Sequence, residues 1–140
     1  MYKFGKRSMQ RLEGVNPHLV ECAKRALAES RFDMTIPHLG GKRTPEEQKD
    51  CFDRGTSKCD GYIKLSYHQA EAADNGYGNA IDVIPVDGGY ENTRGLNEFA
   101  RLMSINWQEG LISGEFEGVL IWGGTFGRTG WDKPHHEVRL

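Results

Sequence analysis

The chain has 140 residues, 37% of them apolar and 27% charged; that is too apolar for a disordered chain and suits one globular domain over 1–140. Its 18 basic and 20 acidic residues leave a net charge of −2, so there is no electrostatic footprint for a nucleic-acid partner. No apolar run approaches the roughly 20 residues that span a bilayer, so no membrane insertion is expected.

The opening "MYKFGKRSMQRLEG" has basic residues but neither an apolar stretch nor a cleavage site, so it is not a secretory signal. Synthesis in the cytoplasm, with the product initially staying there, is the expectation. Cys22, Cys51 and Cys59 are odd in number and have no short-spaced pair, which predicts free thiols packed as small core residues.

Asn16 and Pro17 open a helix: Asn16 can cap it, and Pro17 suits the first helical position. Leu19, Val20, Ala23, Ala26 and Leu27 then recur at helical spacing over 17–30. "DMTIP" (33–37) reads as a short strand. "TPEE" (44–47) is a capping box, and its helix runs to about Arg54 with Gly55 as the stop. Residues 55–78 are rich in Gly, Ser, Asp and Asn and read as loop, with room for a short strand at 62–65. "NAIDVIPV" (79–86) predicts a central strand. Leu96, Phe99, Ala100, Met103 and Trp107 predict a long helix over 92–110. "GVLIWGG" (118–124) and "HHEVRL" (135–140) predict two more strands. Helices first and strands mostly consecutive afterwards argue for an α+β fold with a small antiparallel sheet.

Asp82 falls inside the apolar strand 79–86, and a buried carboxylate must be paired or bound to a cation. It could pair with a buried arginine or cap a turn. It could also be a metal ligand. A hydrolytic zinc site needs three protein ligands and an open fourth position, and histidine nitrogens with one carboxylate suit that ion. His68, Asp82 and His135 could supply the ligands and Asp132, on a turn expected to be exposed, the base. In Asp132-x-x-His135 the acid and the histidine share one turn-to-strand segment that Pro134 stiffens, so fixing the histidine also fixes the acid. Side chains alternate along a strand, so His135 and His136 cannot both face the site; His135 is the expected ligand and His136 a half-exposed strand residue. His18 and His38 read as solvent-facing, and Gly123-Gly124 as a strand terminator.

Four segments resemble the zinc peptidases that cut peptidoglycan peptides. They are "S-x-H" at Ser66–His68, "G-x-A-x-D" at Gly78–Asp82, "D-x-x-H-x-E" at Asp132–Glu137, and "GKRTPEEQ" (41–48), which is similar to the family's "G-x-R-T-x-x-x-Q". The family includes D-alanyl-D-alanine carboxypeptidases and dipeptidases and the phage L-alanyl-D-glutamate endopeptidases. Residues 2–36 resemble the N-terminal helix and first strand of the phage enzymes. The resemblance covers nearly the whole chain and implies a hedgehog/D,D-peptidase-like fold. One departure is the spacing of His68 and Asp82, fourteen residues here against seven in the shortest family pattern. A loop can bulge outward at a cost of about 0.6 kcal/mol per doubling, so the change bears on the cleft rim rather than on the ligands.

The resemblance implies Zn²⁺ held by His68, Asp82 and His135. It implies Asp132 as proton carrier, Arg43 as the cation facing the oxyanion, and Ser66 and Gln48 as groups that touch substrate or stand behind the ligands. The expected protein is a monomeric endolysin that hydrolyses the L-Ala–D-Glu bond of peptidoglycan stem peptides. It would be made in the host cytoplasm and would act on the wall in the periplasm once the inner membrane is opened. Two alternatives remain at this point: a D-Ala-D-Ala carboxypeptidase or dipeptidase, and a zinc-stabilised binding domain without catalysis.

Overall fold

A computed structural model describes residues 1–140, with elements in the order α1 (Lys6–Arg11), α2 (Pro17–Glu29), β1 (Met34–Thr35), α3 (Pro45–Asp53), β2 (Ala80–Asp82), β3 (Ile84–Pro85), α4 (Thr93–Ser113), β4 (Val119–Trp122) and β5 (His135–Arg139). Short 3₁₀ turns lie at 70–72, 89–91 and 123–125. The strands form two small antiparallel sheets, β1–β3 and β2–β5–β4, with the last strand of the chain in the middle of the larger one.

The three longer helices sit where their caps place them. The Asn16 side chain accepts from the His18 N–H, and Thr44 and Glu47 complete the reciprocal box at the start of α3. The α2 face carrying Leu19, Cys22, Ala23, Ala26 and Leu27 is buried against α4, and Phe99, Met103 and Trp107 join the same core with Ile36, Ile81, Val83 and Val138. Cys22 and Cys51 are buried and all three cysteines are free thiols; Cys59 is half-buried, at the edge of the cleft rather than in the core.

Two expectations need correction. The single strand over 79–86 is two strands in different sheets. Ala80–Asp82 pairs with β5, and Ile84–Pro85 with β1. The switch comes after Val83, whose N–H makes the last bond in the β5 register, to the Pro134 carbonyl at 2.9 Å. Residues 62–65 form a turn, not a strand. Asp60 Oδ1 accepts the backbone N–H groups of Tyr62, Ile63 and Lys64 at 3.2, 3.0 and 2.8 Å, which overrides the apolar look of "YIKL". Helix α1 also goes beyond the expectation. Its six residues are mostly polar and lack a side-chain cap, but Ser8 docks it onto β1 through Thr35 Oγ1 and the Ile36 N–H.

The extra residues between His68 and Asp82 bulge outward and are tied at the neck. Asn79 is buried; its Oδ1 accepts from Asn16 Nδ2 at 3.0 Å and Asn75 Nδ2 at 2.8 Å, and its Nδ2 donates to Asn75 Oδ1 and the Tyr77 carbonyl. The Gly78 and Asn16 backbones add bonds at 3.0 and 2.8 Å. This clasp joins the cap of α2 to the start of β2, so the loop's length does not loosen its ends. Asn79→Ala strands the Asn16 and Asn75 amides and should cost about 1–3 kcal/mol. The urea midpoint should fall with little change in slope; an unchanged midpoint would show that the clasp carries no stability.

Candidate active site

His68 is held from both sides. Its backbone N–H donates to Ser66 Oγ at 3.2 Å, and the Ser66 N–H donates to Gln69 Oε1 at 2.9 Å. On the ring, Nδ1 lies 2.8 Å from the Gly41 carbonyl. A carbonyl only accepts, so Nδ1 carries the proton and Nε2 presents its lone pair to the site. Gly41 is required for this approach, because a Cβ there would meet the Arg11 carbonyl oxygen at 1.8 Å.

Asp82 is the last residue of β2, and its two oxygens do different work. Oδ2 accepts from Arg43 Nη2 at 3.0 Å; Oδ1 lies 3.4 Å from His68 Nε2 and 3.4 Å from His135 Nδ1. The buried-arginine partner and the metal-ligand role therefore coexist on one carboxylate. Arg43 is itself fixed by the Leu39 carbonyl at 2.7 Å and by Gln48 Oε1 at 3.0 Å. Leu39 is the one non-glycine residue with positive φ (59°), a conformation that costs about 1–2 kcal/mol, and its carbonyl meets the Arg43 Nε–H.

His135 opens β5 opposite Asp82. Its Nε2 donates to Glu137 Oε1 at 2.8 Å, two residues along on the same strand face, and Glu137 Oε2 accepts from Arg139 Nε at 2.8 Å. This leaves His135 Nδ1 facing the site, 3.2 Å from His68 Nε2. His136 points the other way. It is buried, lies edge-on to Phe99 with ring centroids 5.8 Å apart, and has no partner for Nδ1. The half-exposed position expected for it is therefore wrong: that face of β5 packs on α4. Burial pushes its ring down to about 3.

Three donor atoms thus form a triangle with sides of 3.2, 3.4 and 3.4 Å. A tetrahedral ion with bonds of about 2.0–2.1 Å has edges of about 3.3–3.4 Å between its ligands, so the donors fit such an ion without rearrangement. The electrostatics agree. Burial should lower the His135 pKa, yet hydrogen bonds to Asp82 and Glu137 raise it to about 9. Burial opposes ionisation of Asp82, but His68 and His135 hold it well below the usual carboxylate range. The pocket favours positive charge where the three atoms converge. His68, Asp82 and His135 are the group able to hold a metal ion.

Asp132 stands outside the triangle, with Oδ2 3.9 Å from His135 Nδ1. Its side chain is 30% exposed, so the turn covers it more than expected. Burial raises its carboxyl to about 6, although His135 pulls it down. The turn is close-packed: a Cβ on Gly123 would meet the Asp132 carbonyl oxygen at 1.9 Å, so that glycine does more than end β4. Ser66 lines the cleft, but its hydroxyl is engaged with His68. Gln48 is fully buried behind Arg43, with Nε2 donating to Ser57 Oγ and the Cys59 carbonyl. It orients the guanidinium and has no surface for a substrate. Glu137 and Gln69 were given no role from sequence. For Glu137 the signal was present, as the second residue after His135 shares its strand face.

His68, Asp82 and His135 all line a cavity of about 290 Å³; a second cavity, of about 510 Å³, shares Arg43, Thr56, Asp82 and Asp132 with it.

A buried His–Asp–His group with a carboxylate beside it, on a small α+β scaffold, is the constellation of a metallopeptidase. The sequence profile of the phage L-alanyl-D-glutamate peptidases matches residues 1–137, and the chain belongs to that family. A search of curated proteins gave no match. Among solved structures, the fold is similar to the crystal structure of the Serratia marcescens L-Ala D-Glu endopeptidase ChiX. The TM-score is 0.71 at 22% identity, covering 99% of this chain and 90% of that one.

Removing either imidazole should abolish stoichiometric metal binding, so His68→Ala and His135→Ala should each lose the ion while His136→Ala keeps it. Glu137→Gln should weaken metal binding roughly 10–100-fold by loosening the His135 ring. Competition with a chromogenic chelator measures all four; loss of metal in His136→Ala with retention in His135→Ala would contradict the strand-face assignment.

Proposed function

We propose that the ion is zinc and that the chain is a phage endolysin: it hydrolyses the L-Ala–D-Glu bond of peptidoglycan stem peptides, with Asp132 and Arg43 acting at the reacting atoms. The observation that carries this reading is the donor triangle with the Asp132 carboxylate 3.9 Å from one of its corners, His135 Nδ1. Two nitrogens and one carboxylate oxygen suit zinc, and three ligands leave one position for chemistry.

Zinc, when bound, supplies a Lewis acid that polarises the scissile carbonyl and acidifies water. Asp132 takes the proton from the attacking water and delivers it to the leaving amine. Burial raises this carboxyl above the usual carboxylate range, the direction that suits a proton carrier. Arg43 commits one N–H each to Leu39, Gln48 and Asp82. Two of its five donors remain, one on each terminal nitrogen, to meet negative charge developing on the carbonyl oxygen. Gln48 holds that guanidinium in place, and Ser66 holds the His68 backbone.

Two cavities that meet at Asp82 and Asp132 give room for chain beyond the reacting bond, which supports internal cleavage over removal of a terminal D-alanine. Asp132, outside the ligand set, supports catalysis over a purely structural metal. No helix is long and apolar enough to cross a membrane, and we place the site of action in the wall, reached after another agent opens the inner membrane.

Asp132→Ala should keep its zinc and fold while hydrolysis of purified peptidoglycan falls roughly 10²–10⁴-fold. Asp82→Ala should lose zinc and activity together. Mass spectrometry of the wild-type digest should show stem peptides with a new N-terminal D-glutamate. Free D-alanine as the sole product would make the chain a carboxypeptidase, and full activity in Asp132→Ala would remove the proton-transfer role.

A further inference from the structure

The two cavities that share Asp82 and Asp132 differ in charge. In the 510 Å³ cavity the cations are Arg43, tied to Asp82, and Arg54, tied to Asp50 at 2.8 Å. The 290 Å³ cavity holds Arg43 and Arg139, tied to Asp82 and Glu137, and also Lys58 and Lys64, neither of which has a carboxylate partner. Lys58 Nζ sits 4.3 Å from the centroid of the Trp131 ring, beside Asp132. That stacking places a charge at the cleft without neutralising it.

Lys64 is delivered by a built turn. Asp60 spends Oδ1 on three backbone N–H groups, the last of them that of Lys64 itself. The Gly61 N–H bonds the Lys64 carbonyl at 3.1 Å, and Gly61 has the positive φ (89°) that this geometry needs. The turn is stitched to the metal-binding segment, because Gln69 Nε2 donates to the Gly61 carbonyl at 3.0 Å while Gln69 Oε1 accepts from Ser66 N–H. Gln69 is fully buried. The backbone that carries Lys64 is therefore fixed relative to His68.

A glutamyl residue beyond the scissile bond keeps one free carboxyl group whichever of its two the chain continues through. Its half of the substrate is anionic; the alanyl half is not. We propose that Lys64, with Lys58 lining the same cavity, is the specificity-determining cation that receives this free carboxylate. The acidic, C-terminal half of the substrate then lies in the 290 Å³ cavity and the alanyl half in the 510 Å³ cavity. This inference rests on the L-Ala–D-Glu peptidase reading and adds the orientation of the substrate and the residue that reads its charge.

The test compares two soluble peptides, N-acetyl-L-Ala–γ-D-Glu–L-Lys with its free α-carboxylate and the same peptide with that group as a carboxamide, on zinc-loaded protein. Wild type should favour the acid by about tenfold or more in kcat/KM, the usual worth of a hydrogen bond to a charged group. In Lys64→Met the ratio should fall towards one, through a higher KM for the acid, with kinetics on the amide unchanged. Lys64→Arg should restore much of the preference, and Lys58→Met should reduce it less than Lys64→Met does. Equal cleavage of acid and amide by wild type overturns the inference and leaves the peptidase reading intact. So does a Lys64→Met variant that loses rate equally on both peptides. Wild-type protein that cuts neither peptide at the Ala–Glu bond removes the peptidase reading, and the inference with it.

Discussion

The structure depends on one half-buried carboxylate at the end of an apolar strand. Asp82 ends a strand whose other side chains are core, and an isolated charge there would cost several kcal/mol. It is kept ionised by division of labour: Arg43 holds one oxygen, and the other faces two imidazole nitrogens. Each of these partners is fixed in turn. Arg43 is held by Gln48 and by the left-handed turn at Leu39, His68 by the Gly41 carbonyl, and His135 by Glu137. Hydrogen bonds to the far side of each imidazole choose the tautomer that turns a lone pair inward. The orientation of the donor atoms is thus set by groups that stand behind them.

The fold delivers these groups by placing the last strand in the centre of the β2–β5–β4 sheet. One face of β5 presents His135 and Glu137 to the cleft. The other presents His136 and Val138 to Phe99 and the helical core. Strand alternation therefore separates a charged, hydrogen-bonded site from an apolar interior within the thickness of a single strand. The switch at Val83 serves the same end. By sending the chain from one sheet to the other, it leaves Asp82 at a strand end, where its side chain meets Arg43 from the α3 side and His135 from the β5 side. The long loop after His68 leaves this arrangement unchanged because the Asn16–Asn75–Asn79 clasp closes its neck.

Much of this was legible in the sequence because its causes are local. Caps and 3.6-residue spacing set α2, α3 and α4, and the parity of a strand separates His135 from His136. The division of 79–86 between two sheets was hidden, since an apolar run does not say which strand each half will pair with. The role of Gln48 was open for a related reason: burial behind Arg43 depends on how α3 packs, and nothing local marks it. Glu137 stood in the motif without a function because its meaning comes from its contact with a ring two residues away. The turn at 60–64 was obscured by apolar residues that stay exposed while Asp60 organises their backbone. Lys64 gained meaning only when the cleft's charges could be paired off and two lysines were left over.

The central claim is that three donor atoms hold one zinc ion and leave a fourth position to solvent. X-ray absorption at the zinc edge, on the full chain loaded with one equivalent of metal, reads this set directly. Two imidazole nitrogens and two oxygens at about 2.0–2.1 Å, one oxygen from Asp82 and one from water, are the expected result. A sulfur neighbour at about 2.3 Å, bringing in Cys59, or a third imidazole, bringing in His136, would mean a ligand set closed by protein and would contradict the account.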